Sequence, residues 1–388
     1  MPASSHDAAI QGAEPSIRRL VLGDFRSYPA LDLALQPGLV VITGENGAGK
    51  TNLIEAISFL CPGRGLRRAE LGECARAGAP GGWSVFVELA TNSGHRQLGI
   101  GTELQQDGTW LRRYRLDREP IGSIRAFAEL IRIIWLTPSM DGLFSGAAGE
   151  RRRFLDRLVL AVDSEQGTRV NALERALRNR NRLLEENADR RWLDAAEHEV
   201  AELAVAVAAA RAETVRHLAA RIAQMKDEDS PFPHAELFLQ GDVETLIGTR
   251  PALEIEDAYR DMLRANRSRD AAAGRTLIGP QAADLLVRHG PKQADAARSS
   301  TGEQKALLTG LILAHARLVG EVSGLKPIVL LDEITAHFDA ARRRALFEKL
   351  LALDAQVFLT GADPAAFVEL EGRAQMLHVE MGRVGQKG

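Results

Sequence analysis

Residues 38–57 read GLVVITGENGAGKTNLIEAI, an apolar run, a glycine loop and a helix-forming stretch in immediate succession. This segment leaves the fold little choice. Residues 44–51 match G-x-x-x-x-G-K-[ST], a loop that works only where a strand delivers it and a helix N-terminus backs it. Gly44, Glu45, Asn46, Gly47, Ala48 and Gly49 are expected to turn backbone N–H groups toward phosphates, which larger side chains at the glycines would obstruct. Lys50 is expected to reach the β- and γ-phosphates of ATP, and the Thr51 hydroxyl to ligate Mg²⁺. A chance glycine-rich turn would lack the flanking strand and helix.

A second apolar strand, Pro327-Ile328-Val329-Leu330-Leu331, ends in Asp332-Glu333. Alone the pattern says little, because buried strands often end in acids. Beside a phosphate loop it gains roles: Asp332 in the Mg²⁺ shell and Glu333 as the base that polarises an attacking water. The stretch Ser299-Ser300-Thr301-Gly302-Glu303-Gln304-Lys305 opens an apolar helical run. Its plain reading is a capping box, Ser300 to Glu303. Its sharper reading is a γ-phosphate site made by Ser300 Oγ and the amides of Thr301 and Gly302, since a helix N-terminus attracts anions. The two readings are compatible. The second site cannot easily lie beside the first within one chain, so two subunits are expected to face each other and share ATP.

Between these halves the texture changes. Runs at 17–43 and 83–116 alternate as strands do and suggest an antiparallel sheet, and IRIIWLT at 131–137 reads as a buried strand. From Gly149 to Lys226 there is no proline, and Leu193, Ala196, Val200, Leu203, Val207 and Ala210 recur in steps of three and four. Such a seam wants a partner helix. With Asn187-Ala188-Asp189 as the turn, the reading is an antiparallel helical hairpin with arms of about 25–35 residues, or about 40–50 Å; a compact helical subdomain is the alternative. Strand–helix alternation then returns, giving an α/β head of mixed and antiparallel sheets split by an inserted short helical hairpin or coiled coil. The boundaries expected are a disordered leader at 1–16, a first head part at 17–148, the insertion at 149–235 and a second head part at 236–388.

Two cysteines, Cys61 and Cys74, have no metal spacing and fit a reducing cytosol. The first residues lack a basic patch and an apolar core, so they do not read as a signal peptide. The apolar run Leu203–Ala210 is far too short to span a bilayer. With a net charge of −3, contact with nucleic acid must come from local basic patches.

These motifs, in this order, resemble those of the ABC-type P-loop ATPases, with the signature at 300–304 and a D-loop at His337-Phe338-Asp339, where Asp339 is the matching nucleotide-side residue. Thr51 and Ser300 lie about 250 residues apart, farther than in transport ATPases, and a helical insertion in a split head is similar to the SMC-like repair ATPases. The chain most resembles the RecF family. Phe25-Arg26-Ser27-Tyr28, KTNLIEAISFL at 50–60, Gly63-Arg64, Gly149-Glu150-Arg151-Arg152-Arg153-Phe154-Leu155-Asp156 and Arg180-Asn181-Arg182-Leu183-Leu184 carry the likeness. It departs at Gly279-Pro280-Gln281-Ala282-Ala283-Asp284-Leu285, where the family often has a His and an Arg. Thr360-Gly361-Ala362-Asp363 also lacks the switch histidine of transport ATPases, so fast turnover is not expected.

The resemblance implies ATP and Mg²⁺ as cofactors, Arg26 at the nucleotide, Lys50 and Glu333 as catalytic residues, slow hydrolysis and an ATP-dependent homodimer. It implies DNA as partner (gapped, junction, duplex or single-stranded), assistance to RecA loading with RecR- and RecO-type mediators, and a cytoplasmic, nucleoid-associated location without membrane. Candidates for DNA phosphates are Arg64, Arg67 and Arg68, then Arg151, Arg152 and Arg153, then Arg175, Arg178, Arg180 and Arg182. Arginines on helices often form a solvated or salt-bridged face instead. Aromatic content of 5% argues against base stacking. Two rivals remain: the ATP-binding subunit of an ABC transporter, and a scaffold that binds ATP without hydrolysing it.

Overall fold

The computed structural model describes residues 14–79, 81–226, 230–336 and 338–386. Most of the expected leader and His337 of the D-loop therefore lie outside the described residues. Along the chain the strands and helices are β1 Ser16–Phe25, β2 Tyr28–Ala34, β3 Leu39–Thr43, α1 Lys50–Ser58, β4 Ser84–Thr91, β5 Gly94–Leu104, β6 Trp110–Leu116, β7 Glu119–Ile121 and β8 Ile133–Leu136. There follow α2 Ala148–Val162, α3 Gln166–Glu185, α4 Arg190–Gln224, β9 Ala235–Gln240, α5 Ala252–Ala265, α6 Arg267–Ala273, β10 Asp284–His289 and β11 Ala294–Asp295. The last are α7 Thr301–Ser323, β12 Ile328–Leu331, α8 Ala340–Leu351, β13 Val357–Gly361, β14 Ala374–Glu380 and β15 Arg383–Gln386.

Contacts divide the chain into two compact units. One takes in residues up to 140 and from 315 onward, with a short stretch near 230; the other takes in the rest of 141–314. The first unit holds two sheets. The antiparallel sheet runs β2-β1-β4-β5-β6-β7, and the other runs β15-β14-β3-β13-β12-β8. In the latter, β14, β3, β13, β12 and β8 are parallel, and only β15 runs antiparallel, at the edge. The sequence explains the difference. Strands β3, β8, β12 and β13 are buried at every position, as parallel strands covered on both faces must be. By contrast β4 alternates buried and half-exposed residues, the mark of a sheet with one wet face. Strand β13 lies between β3 and β12, so the loops leaving all three open at the same edge, where ligands of α/β sheets bind.

The second unit holds α2–α6 and the three-stranded antiparallel sheet β11-β10-β9. Helices α3 and α4 pack on each other as the expected hairpin. Asn187 takes a positive φ of 51° in the turn, and Asp189 caps α4 by accepting from the Arg191 N–H at 2.8 Å. The arms are unequal, 20 and 35 residues, or about 30 and 50 Å. The hairpin is not a free coiled coil. Leu173, Ala176 and Leu177 of α3 and Val200, Ala204 and Ala208 of α4 share a core with Ile255, Tyr259 and Leu263 of α5. Residues 236–314, which sequence texture assigned to the second head part, all fall into this second unit. Texture records the period of an element but not the face it packs on.

Among the described residues, α7 is the one helix long and apolar enough to cross a membrane, yet 67% of its most apolar window is buried in the fold. It is a core helix here.

Candidate functional site

The glycine loop follows β3, and Gly49 closes it at φ 118° as the N-cap of α1. A Cβ on Gly49 would meet the Tyr28 hydroxyl at 2.9 Å, and one on Gly44 would meet the Val379 carbonyl at 2.2 Å. Both positions thus require glycine. Tyr28 fixes the loop from below, its hydroxyl donating to the Gly49 carbonyl at 3.1 Å, and burial holds this phenol well above its ordinary pKa. Lys50 is buried, with Nζ donating to the carbonyls of Gly44 at 2.9 Å and Glu45 at 3.0 Å and lying 3.4 Å from Glu333 Oε1. At the start of α1 the Thr51 hydroxyl donates to Asp332 Oδ1 at 2.8 Å.

Thr360, at the end of β13, completes this group. Its hydroxyl donates to Asp332 Oδ1 at 2.7 Å and accepts from the Glu333 N–H at 2.9 Å. Glu333 has φ 49°, a conformation uncommon for a residue with a Cβ. In the sequence, Thr360-Gly361-Ala362-Asp363 stands out for its missing histidine and not for the Thr360 hydroxyl. Nothing local marks Thr360; only the strand order, with β13 between β3 and β12, places it there.

The residues fit a magnesium nucleotide. The loop's close-packed glycines leave its backbone free to approach phosphates, and Thr51 and Asp332 offer the hydroxyl and carboxylate oxygens that a hard cation prefers. The Thr51 proton already points to Asp332, so the hydroxyl's lone pairs are left for a metal.

Arg26 is engaged with protein. It takes φ 52°, and its guanidinium donates to Glu55 Oε2 at 2.9 Å, Glu55 Oε1 at 2.7 Å and the Glu73 carbonyl at 2.7 Å. Glu55 is buried on α1 and also accepts from Arg67 at 3.0 Å. Two arginines therefore brace the helix that backs the loop.

In the second unit, Ser300 caps α7 reciprocally. The Glu303 N–H donates to Ser300 Oγ at 3.4 Å, and the Ser300 N–H donates to Glu303 Oε2 at 3.1 Å. Its ion pair with Lys292, together with the Ser300 N–H, holds the Glu303 carboxyl down at about 2. Ser300 and Thr301 are exposed and Gly302 half-buried, so the capping box leaves this helix end accessible. Asp339 is the N-cap of α8 and accepts from the Arg342 N–H at 2.8 Å.

The arginines sort by burial. Arg180 cannot meet DNA in this fold: it is 0% exposed and ion-paired with Glu197 at 3.1 Å and Asp270 at 2.8 Å. Arg151 and Arg152 are also engaged. Arg151 holds both Asp284 oxygens, at 2.8 and 2.7 Å, and Arg152 donates to the Ala283 carbonyl at 2.7 Å. Arg211, which the sequence reading missed, donates to the Pro280 carbonyl at 2.7 Å and to both Asp156 oxygens at 2.8 and 2.9 Å. The arginine-rich stretch of α2 thus clamps the loop at 279–284. Arg153, Arg175, Arg178 and Arg182 remain exposed on helices, with Arg178 near Glu174 and Arg182 near Glu186. In the first unit Arg64, Arg67 and Arg68 are exposed after α1, with Arg64 paired to Glu70.

The family model described as RecF/RecN/SMC N terminal domain matches residues 16–384. A relative from Mesorhizobium japonicum (strain LMG 29417 / CECT 9101 / MAFF 303099), named DNA replication and repair protein RecF, is 51% identical over 374 residues, 96% of this chain and 98% of its own. A protein of the same name from Brucella abortus (strain 2308) is 53% identical over 371 residues, 95% of this chain and 96% of its own. Among solved structures, the recombination mediator protein RecF-ATPrS in the RecFOR pathway is similar with a TM-score of 0.85 at 19% identity, covering 98% of this chain and 100% of that one. The Smc head domain of Pyrococcus furiosus, with an extended coiled coil and bound to the C-terminal domain of ScpA, has a TM-score of 0.54 at 16% identity, covering 96% of each chain. At these identities the structural likenesses speak for the fold, that of an ABC-type ATPase head.

Proposed function

The chain belongs to the RecF family, and from that membership we propose that it is an ATP-dependent DNA-binding protein of replication and recombinational gap repair. It dimerises on ATP, assists RecA loading at gaps with RecR- and RecO-type partners, and hydrolyses ATP slowly in the cytoplasm. The observation that carries the reading is the meeting of Thr51 and Asp332 at 2.8 Å, at the shared edge of β3, β13 and β12. Names of full-length relatives near 50% identity support the DNA role.

Mg²⁺ bound with the nucleotide would neutralise charge on the β- and γ-phosphates. The chain's own residues do the rest. The loop amides and Lys50 grip the phosphates. Thr51 and Asp332 would hold the metal, and Glu333 takes a proton from the attacking water. In the dimer, the helix end at Ser300–Gly302 of one copy faces the loop of the other, and Asp339 lies beside it. The exposed arginines, Arg64, Arg67 and Arg68 with Arg153, Arg178 and Arg182, meet the DNA backbone without reading bases.

The test is DNA binding to gapped, duplex and single-stranded substrates with ATP, ADP or no nucleotide, using wild type and Lys50→Met. ATP-dependent affinity, strongest at the gap and absent in Lys50→Met, is expected. Equal affinity in all three nucleotide conditions would overturn the reading.

A further inference from the structure

We propose that Thr360 is a positioning residue for the Mg²⁺–nucleotide site, acting through Asp332 and Glu333; the inference rests on the ATPase reading above. The Thr360 side chain is 0% exposed, and its one hydroxyl serves both acidic residues in opposite senses. It gives its proton to Asp332 Oδ1 at 2.7 Å and takes the Glu333 N–H at 2.9 Å. Thr51 donates to the same Oδ1 at 2.8 Å, so two hydroxyls, one from the start of α1 and one from β13, converge on one carboxylate oxygen. An ionised carboxylate accepts only, and both donors therefore fix its rotation.

The second bond acts on the backbone. Glu333 sits at φ 49°, and such conformations persist only where neighbours over-determine them. The Thr360 oxygen is one such neighbour, since it ties the Glu333 N–H at the residue where the chain turns away from β12. A single hydroxyl thus sets both the carboxylate that would face the metal and the backbone that aims the base.

Thr360→Val keeps the shape and removes the hydroxyl, while Thr360→Ser keeps the hydroxyl and removes the methyl. Binding of a fluorescent ATP analogue is measured over a Mg²⁺ titration and in EDTA, beside steady-state hydrolysis and thermal unfolding. In EDTA all three proteins should bind alike. The Mg²⁺ concentration giving half-maximal binding should rise about 10- to 100-fold in Thr360→Val, the range for a lost hydrogen bond to a charged group. The turnover number should fall as well, and Thr360→Ser should return both toward wild type. A Thr360→Val protein with the wild-type Mg²⁺ requirement and turnover overturns the proposal. So does a Thr360→Ser protein as impaired as Thr360→Val, because the methyl would then be what matters. If wild type itself shows no Mg²⁺-dependent nucleotide binding, the ATPase reading fails, which is a separate result.

Discussion

Arg180→Ala distinguishes an arginine that holds the fold from one that touches DNA. The guanidinium is 0% exposed and donates to Glu197 at 3.1 Å, Asp270 at 2.8 Å, Thr276 at 2.7 Å and the Leu263 carbonyl at 2.9 Å. Truncating one member of a buried ion pair costs about 3–5 kcal/mol, because its partner stays buried and charged. Two contacts pull the expectation to the low end. Glu197 keeps Arg267, which donates at 3.0 Å, and Asp270 keeps the Leu277 N–H at 3.1 Å. A loss of about 3 kcal/mol is expected. At about 2–4 °C per kcal/mol for a body of this size, the unfolding midpoint should drop roughly 6–12 °C. The assay is thermal and urea unfolding by circular dichroism, beside DNA binding at a temperature where the variant is folded. Arg178→Ala is the exposed comparison and should stay within about 0.5 kcal/mol of wild type. An Arg180→Ala protein with an unchanged midpoint and lost DNA affinity would refute the reasoning and return this residue to the DNA surface.

Other outcomes follow from the same geometry. Glu333→Gln cannot take a proton from water, so hydrolysis should fall by roughly 10²–10⁴ while an ATP-bound dimer accumulates in light scattering; unchanged turnover would move the base elsewhere. Ser300→Arg loses its cap and about 0.5–2 kcal/mol of stability in either reading. It should also abolish ATP-dependent dimerisation while leaving monomer ATP binding intact, and a variant that still dimerises on ATP would leave capping as the whole role. Glu303 has its carboxyl held down at about 2 by Lys292 and the Ser300 N–H, so its contribution is present above its ordinary value of 4.5 and is lost as pH falls toward 2. Acid unfolding of wild type and Glu303→Gln should therefore converge near that lower limit, and a constant offset down to it would count against the pairing.

The parts of the site that could be read from sequence are those whose chemistry sits in consecutive residues. Gly44 to Thr51 and Asp332-Glu333 are of this kind, since spacing along a strand end already fixes what can point at a phosphate. Thr360 could not be read because its role comes from β13 lying between two strands distant in the chain. The triple arginine of α2 was legible as important but not as to partner. A run of guanidinium groups suits phosphate and carboxylate alike, and Asp284 and the Ala283 carbonyl, far along the chain, take two of the three. Arg180 misled for a related reason: on composition an arginine belongs outside, and only the packing of α3, α4 and α6 puts Glu197 and Asp270 around it. The hairpin was visible as a periodic seam, whereas its cover, α5, carried no mark of which helix it would meet.

The glycine loop is closed partly by residues from the other end of the chain. Gly382 donates its N–H to the Ala48 carbonyl at 3.2 Å, Gly44 lies against the Val379 carbonyl, and β3 is flanked by β13 and β14. Order of synthesis gives this closure a history. About 330 residues separate Ala48 from Gly382, and at about 5–20 residues per second a ribosome needs roughly 15–70 s to supply them. For most of that interval the nascent chain carries a phosphate-loop sequence whose central strand has neither neighbour, since β13 and β14 are made only near its end. Until those residues are made the chain has no finished nucleotide site to load, and the site is assembled only as the β14–β15 hairpin arrives.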